Sequence, residues 1–87
     1  PVSPKDIRKR QRIAQRELEQ EEARIAELEA RISTLTTQLE DPSLYTRPRG
    51  LEDAKRLGTE LEVSKRELDA ALERWTAASD ALERSGS

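Results

Sequence analysis

Six bases crowd the first sixteen residues: Lys5, Arg8, Lys9, Arg10, Arg12 and Arg16 stand against one acid, Asp6, a net of +5. On a helix Lys5, Arg8, Arg12 and Arg16 follow three- and four-residue steps and line one stripe, which Lys9 and Arg10 widen. A stripe of this kind attaches to phosphate backbones by releasing their counterions, largely without sequence preference. No aromatic residue is interleaved, so stacking on single strands is not expected from it. The bland alternative is a linker whose charge is solvated or faces a neighbouring domain. Residues 17–30 invert the sign, with six acids (Glu17, Glu19, Glu21, Glu22, Glu27, Glu29) against Arg24, a net of −5. Such a run imitates a paired-carboxylate site. The chain has no histidine and no cysteine, no metal-ligand spacing, and too little apolar mass to enclose a pocket, so catalysis is not expected and the run reads as a solvated face.

The elements that carry these charges are long helices. Of the 87 residues, 39% are charged and 33% hydrophobic, and Tyr45 and Trp75 are the two aromatics. That balance fits a disordered segment or a coiled coil, and periodicity decides between them. Ser3-Pro4-Lys5-Asp6 reads as a capping serine, a proline at the first helical position and an acid three residues after the cap. Leu18, Ile25, Ile32 and Leu39 then repeat every seven residues. Leu28 and Leu35 fall between them at the alternate seam position. The same register reaches back to Ala14, Gln11 and Ile7 and places Glu21 in the seam as a defect. Pro42 stops this helix near Glu40.

The segment Asp41–Gly50 breaks the pattern at its midpoint with two prolines and a glycine. The expectation is an all-α fold, an antiparallel two-helix coiled-coil hairpin with a short Pro/Gly-containing tip, forming one domain over 1–87. Helix 1 is expected at about 4–40, the tip at 41–47 with a short helical turn, helix 2 at about 48–84 and a tail at 85–87. Leu44 and Tyr45 are expected to fold over the end of the seam. In helix 2, Ala54, Leu61, Leu68, Trp75 and Leu82 repeat every seven. Leu51 and Leu72 are taken as the alternate row, with Gly58, Lys65 and Ser79 as its weaker members, while Leu57, Ala71 and Ala78 widen the stripe. Pairing about the tip sets residues whose numbers sum to about 89 opposite each other. Leu39 then meets Leu51, Ala14 meets Trp75, and the Lys65 ammonium reaches Glu21 or Glu22.

From about Arg24 to Leu82 the chain resembles the C-terminal coiled-coil domain of the ABC-F family of ATPases, of the Uup-like kind. Ile25-Ala26-Glu27-Leu28-Glu29-Ala30-Arg31-Ile32 matches that domain's leucine-rich first helix. Leu39-Glu40-Asp41-Pro42-Ser43-Leu44-Tyr45 matches its L-x-D-P-x-L-Y turn, and Ala71-Leu72-Glu73-Arg74-Trp75 its late A-x-E-R-W segment. The tip departs from the pattern. Where the family often has an acidic-Pro pair and an aromatic, this chain has Arg47-Pro48-Arg49-Gly50-Leu51. It also contains no G-x-x-x-x-G-K-[ST] cassette motif, so ATP, Mg and the ATPase domains are implied upstream, and no cofactor or enzymatic activity is expected in this fragment, which begins at Pro1 rather than Met.

The resemblance implies a cytoplasmic ATPase acting on ribosomes, with a C-terminal domain that binds DNA in Uup-like members. The expected function is electrostatic binding of DNA or ribosomal RNA through the basic stretch 5–16 and through Arg47 and Arg49 at the tip. The expected protein partner is the upstream ATPase domains of the same chain; a monomer is expected, and no membrane contact. Two other readings stand beside it: a strut that docks on its own ATPase domains or another protein, and the tRNA-binding coiled-coil arm of an aminoacyl-tRNA synthetase.

Overall fold

The computed structural model describes residues 3–86. Helix α1 spans Pro4–Glu40, a 3-10 turn spans Pro42–Thr46, and helix α2 spans Gly50–Gly86. The two helices pack antiparallel into a hairpin 67 × 14 × 14 Å in extent. This is the all-α hairpin that the midpoint break predicts. Residues 1, 2 and 87, the last of them in the expected tail, lie outside the described residues.

Each end of α1 is fixed by local chemistry. Ser3 is extended, its hydroxyl accepts from the Asp6 N–H at 3.3 Å, and Pro4 follows where no intrahelical donor is needed. At the other end Asp41 turns extended, and its N–H reaches back to the Gln38 carbonyl at 3.3 Å. Asp41 then caps the 3-10 turn, with its carboxylate accepting from the Ser43 N–H at 3.0 Å. Those two bonds hold the chain to a sharp reversal. Pro48 lies in the turn before α2, not in its first turn, and Ser85 belongs to α2, not to a tail.

The α1 seam follows the heptads, with Ala14, Leu28 and Leu35 buried. In α2 the row Ala54, Leu61, Leu68, Trp75 and Leu82 is half-buried, as its spacing predicts. The alternate row is different from the expected one. Leu57, Ser64, Ala71 and Ala78 are the buried residues, whereas Leu51 is 72% and Leu72 44% exposed. Counting leucines favours the wrong row. That row also carries Lys65, and burying an uncompensated ammonium costs far more than two leucines return. The row that wins holds no charge, and its small side chains let α2 approach the bulky leucines of α1.

The pairing register also differs from the expected one, by one heptad. Gln11 meets Ser85, Glu21 meets Arg74 and Glu22 meets Trp75, so facing residues have numbers that sum to about 96 rather than 89. Leu39 packs near Ala54 and Leu57 instead of meeting Leu51, and Ala14 does not face Trp75. The tip is the cause. The 3-10 turn folds back so that Leu44 is 1% exposed and fills the end of the seam with Leu35 and Leu57. The first turn of α2 therefore starts against the 3-10 turn, and α2 meets the α1 seam from Ala54 and Leu57 onward. Gly50 makes this possible, because a Cβ there would lie 2.0 Å from the Leu44 carbonyl oxygen.

Tyr45 seals the tip by a polar route. Its ring is 50% exposed, but its hydroxyl donates to the Leu39 carbonyl at 2.6 Å. Leu39 is in the last turn of α1, where carbonyls lack intrahelical donors, so this bond completes the helix end. The defect at Glu21 is repaired, though not by Lys65, which lies 4.0 Å from Glu62 on its own helix. Arg74 donates to Glu21 at 3.0 Å, and the Trp75 indole N–H donates to Glu22 at 3.2 Å. Two adjacent residues of α2 thereby clasp two adjacent carboxylates of α1.

Candidate nucleic-acid interface

The sequence-predicted basic residues fall at opposite ends of the hairpin. Lys5, Arg8, Lys9, Arg10, Arg12 and Arg16 occupy the first turns of α1 and are all exposed. Arg47 and Arg49 are exposed at the tip. From Arg16 to the end of α1 is about 36 Å of helix, so the two clusters cannot share one short ligand.

The six bases of α1 differ from most of the shaft in one respect. Arg24 pairs with Glu27 and Glu67, Arg56 with Asp53 and Glu60, Lys65 with Glu62, and Arg74 with Glu21. Among the described residues none of the six has a carboxylate partner within ion-pair distance. Lys5 also sits in the first turn of α1, where the helix dipole is positive and a cation is disfavoured. The arrangement is thus a locally unfavourable concentration of uncompensated positive charge, which a polyanion would relieve.

The register adds a geometric element. Because Gln11 faces Ser85, the earliest turn of α1 extends past the last described turn of α2, and residues 3–10 are exposed throughout. An open groove of about 660 Å³ runs from this overhang to the end of α2, lined by Lys5, Arg8, Gln11, Arg12, Gln15 and Leu82. The Gln11 amide donates to the Ser85 carbonyl at 3.2 Å, and Gln15 donates to Glu19 at 3.1 Å. The structure therefore brings Lys5, Arg8 and Arg12 together around this groove and leaves Lys9, Arg10 and Arg16 off its walls. Gln11, Gln15 and Leu82 as walls of a site were not legible in the sequence, since α2 reaches them only in the true register.

The tip is less open electrostatically. The Asp41 carboxyl is held below its ordinary value by the Ser43 backbone N–H, then by the Ser43 hydroxyl and the nearby Arg47 charge. Part of the Arg47 field is thus spent on Asp41, whereas Arg49 has no ion pair among the described residues. Leu44 lies buried behind them and Tyr45 stands half exposed beside them. The described residues hold no cluster of side chains that could hold a metal ion. No helix among them is long and apolar enough to cross a membrane.

Comparison with known proteins agrees with this geometry. The family model of the ABC transporter C-terminal domain matches residues 9–80. Over 61 residues, 70% of this chain, the sequence is 36% identical to the ATP-binding protein Uup of Escherichia coli (strain K12), and it spans 9% of that protein's length. No solved structure matches. The matched span includes the D-P-x-L-Y turn, which the structure uses to cap, reverse and plug the hairpin, and the E-R-W segment, whose Arg74 and Trp75 clasp Glu21 and Glu22. A synthetase arm is thereby set aside: the chain belongs to the ABC transporter C-terminal domain family.

Proposed function

We propose that this hairpin is the C-terminal arm of a cytoplasmic ABC-F-type ATPase, and that it holds DNA or ribosomal RNA by its phosphates while upstream domains hydrolyse ATP. One observation carries the reading: six exposed bases stand together at the open end with no carboxylate partner among the described residues. Crowding like charges on one stretch of helix has no structural benefit, and phosphate binding supplies one. Binding is electrostatic and weakly selective for sequence.

The test is a titration of the 87-residue chain with duplex DNA, structured RNA and single strands across a salt series. Three to six phosphate contacts give a log–log slope of about −3 to −5, an affinity loss of roughly 40- to 2,000-fold between 50 and 200 mM salt. Charge reversal at Arg8, Arg12 and Arg16 weakens binding more than reversal at Arg66. Arg74 is unsuitable as a control because it ties the helices together. No binding at low salt, or affinity indifferent to salt, sinks the proposal.

A second reading, a strut docking on protein, draws on the tip. Leu51 on the first turn of α2 is 72% exposed, and Tyr45 in the 3-10 turn is half exposed. Stimulation of the parent's ATPase by the hairpin added in trans, abolished by Leu51→Glu, favours the strut.

A further inference from the structure

The six bases look equivalent in sequence, but the fold sorts them. Lys5, Arg8 and Arg12 line a groove whose far wall is Leu82 of α2, with Gln11 and Gln15 between. Lys9, Arg10 and Arg16 are exposed and do not line it. Charges of one sign beside a low-dielectric wall focus the field, so a phosphate in the groove meets a stronger potential than one on the open face. The groove also has an end: Gln15 donates to Glu19, and the acidic stretch begins there. Lys5 to Arg12 spans about 10.5 Å of helix, about three axial steps of 3.4 Å along one strand, enough to reach a run of four phosphates.

We infer that this groove is a composite phosphate site, in which Lys5, Arg8 and Arg12 take neighbouring backbone phosphates of a nucleic-acid strand and Leu82 of α2 walls its inner end. The inference rests on the nucleic-acid reading above and goes further, because it makes α2 part of the site. Leu82 limits solvent on one side. The Gln11 bond to the Ser85 carbonyl holds the end of α2 in place beside the cations. Lys9, Arg10 and Arg16 act only through the general field.

Two charge-matched triple variants of the 87-residue chain test this with a short fluorescent duplex DNA over a salt series. Lys5→Gln, Arg8→Gln, Arg12→Gln removes three contacts. It lowers the salt slope by about 2.7 and weakens binding about 500-fold at 0.1 M salt. Lys9→Gln, Arg10→Gln, Arg16→Gln removes the same charge but weakens binding less than about 8-fold, the worth of one contact. Leu82→Glu, placing an acid on the opposite wall, weakens binding by at least that much, with helicity followed by circular dichroism to show that the hairpin persists. Equal losses in the two triples, or no loss in a folded Leu82→Glu, overturn the groove while leaving nucleic-acid binding intact. A wild-type chain that fails to bind at low salt overturns both.

Discussion

Gly50 and Gly58 lie eight residues apart in α2, and the same substitution at each is predicted to act with opposite sign. Neither has a positive φ, so backbone freedom is not at issue and only space and propensity differ. At Gly58 a Cβ meets nothing within 4 Å. Gly58→Ala therefore gains the helix propensity of alanine, about 0.8–1 kcal/mol, and raises Tm by about 4–8 °C for a domain of this size. At Gly50 the same methyl lies 2.0 Å from the Leu44 carbonyl oxygen, 3.1 Å from its carbon and 3.2 Å from the Tyr45 Cα. All three are backbone atoms, so no side chain can rotate out of the way. The 3-10 turn must move by more than 1 Å, and it carries Leu44, which plugs the seam. Overpacking of this kind costs about 1–3 kcal/mol. Losing Leu44 from the core outright costs about 1.5–3 kcal/mol, offset by about 1 kcal/mol of propensity. Net destabilisation by Gly50→Ala is about 1–2 kcal/mol, seen as a lower Tm. The assay is thermal and urea unfolding of both variants and wild type, followed by circular dichroism at 222 nm. A Gly50→Ala variant as stable as Gly58→Ala would refute the close packing of the tip on α2.

Three further outcomes follow from the packing. Leu57→Ala costs about 2–5 kcal/mol, whereas Leu51→Gln stays within about 0.5 kcal/mol, and the reverse order in urea unfolding would restore the leucine-rich row to the seam. The Ser64 hydroxyl is buried without a hydrogen-bond partner; Ser64→Ala raises stability by about 1–2 kcal/mol, and a loss would mean that the hydroxyl is satisfied. Because the Asp41 carboxyl is lowered in the folded state, its contribution is present above its unfolded value of about 3.9 and fades as pH falls through the folded value. Asp41→Asn keeps the cap and flattens this part of the acid limb of a Tm–pH curve; an unchanged limb would show that the carboxylate does not contribute.

Much of the fold was legible because its signals are local and redundant. The capping serine, the prolines and the seven-residue rows of α1 all point to one element, and the midpoint break turns it back. The α2 seam was half legible. Rows on either flank of Ala54–Leu82 satisfy a three-four spacing, and choosing between them needs the desolvation cost of Lys65 rather than a count of leucines. The register was not legible, since it depends on how the 3-10 turn folds over the seam, and one heptad of slip keeps every apolar row in phase. The basic residues were visible from type and spacing alone. Their division into two sets required the register, which decides that Leu82 and not some other side chain of α2 faces them.

The α2 row that thins from Leu57 through Ser64 to Ala71 and Ala78 has a kinetic consequence. The buried leucines that cluster together, Leu35, Leu44 and Leu57 with Leu39 packed against them, are also joined by a short stretch of chain. Closing a short loop costs the least entropy, so folding starts at the tip and zips towards the termini. The same gradient governs opening, so amide exchange slows from base to tip and the cationic end is the first part of the hairpin to come apart.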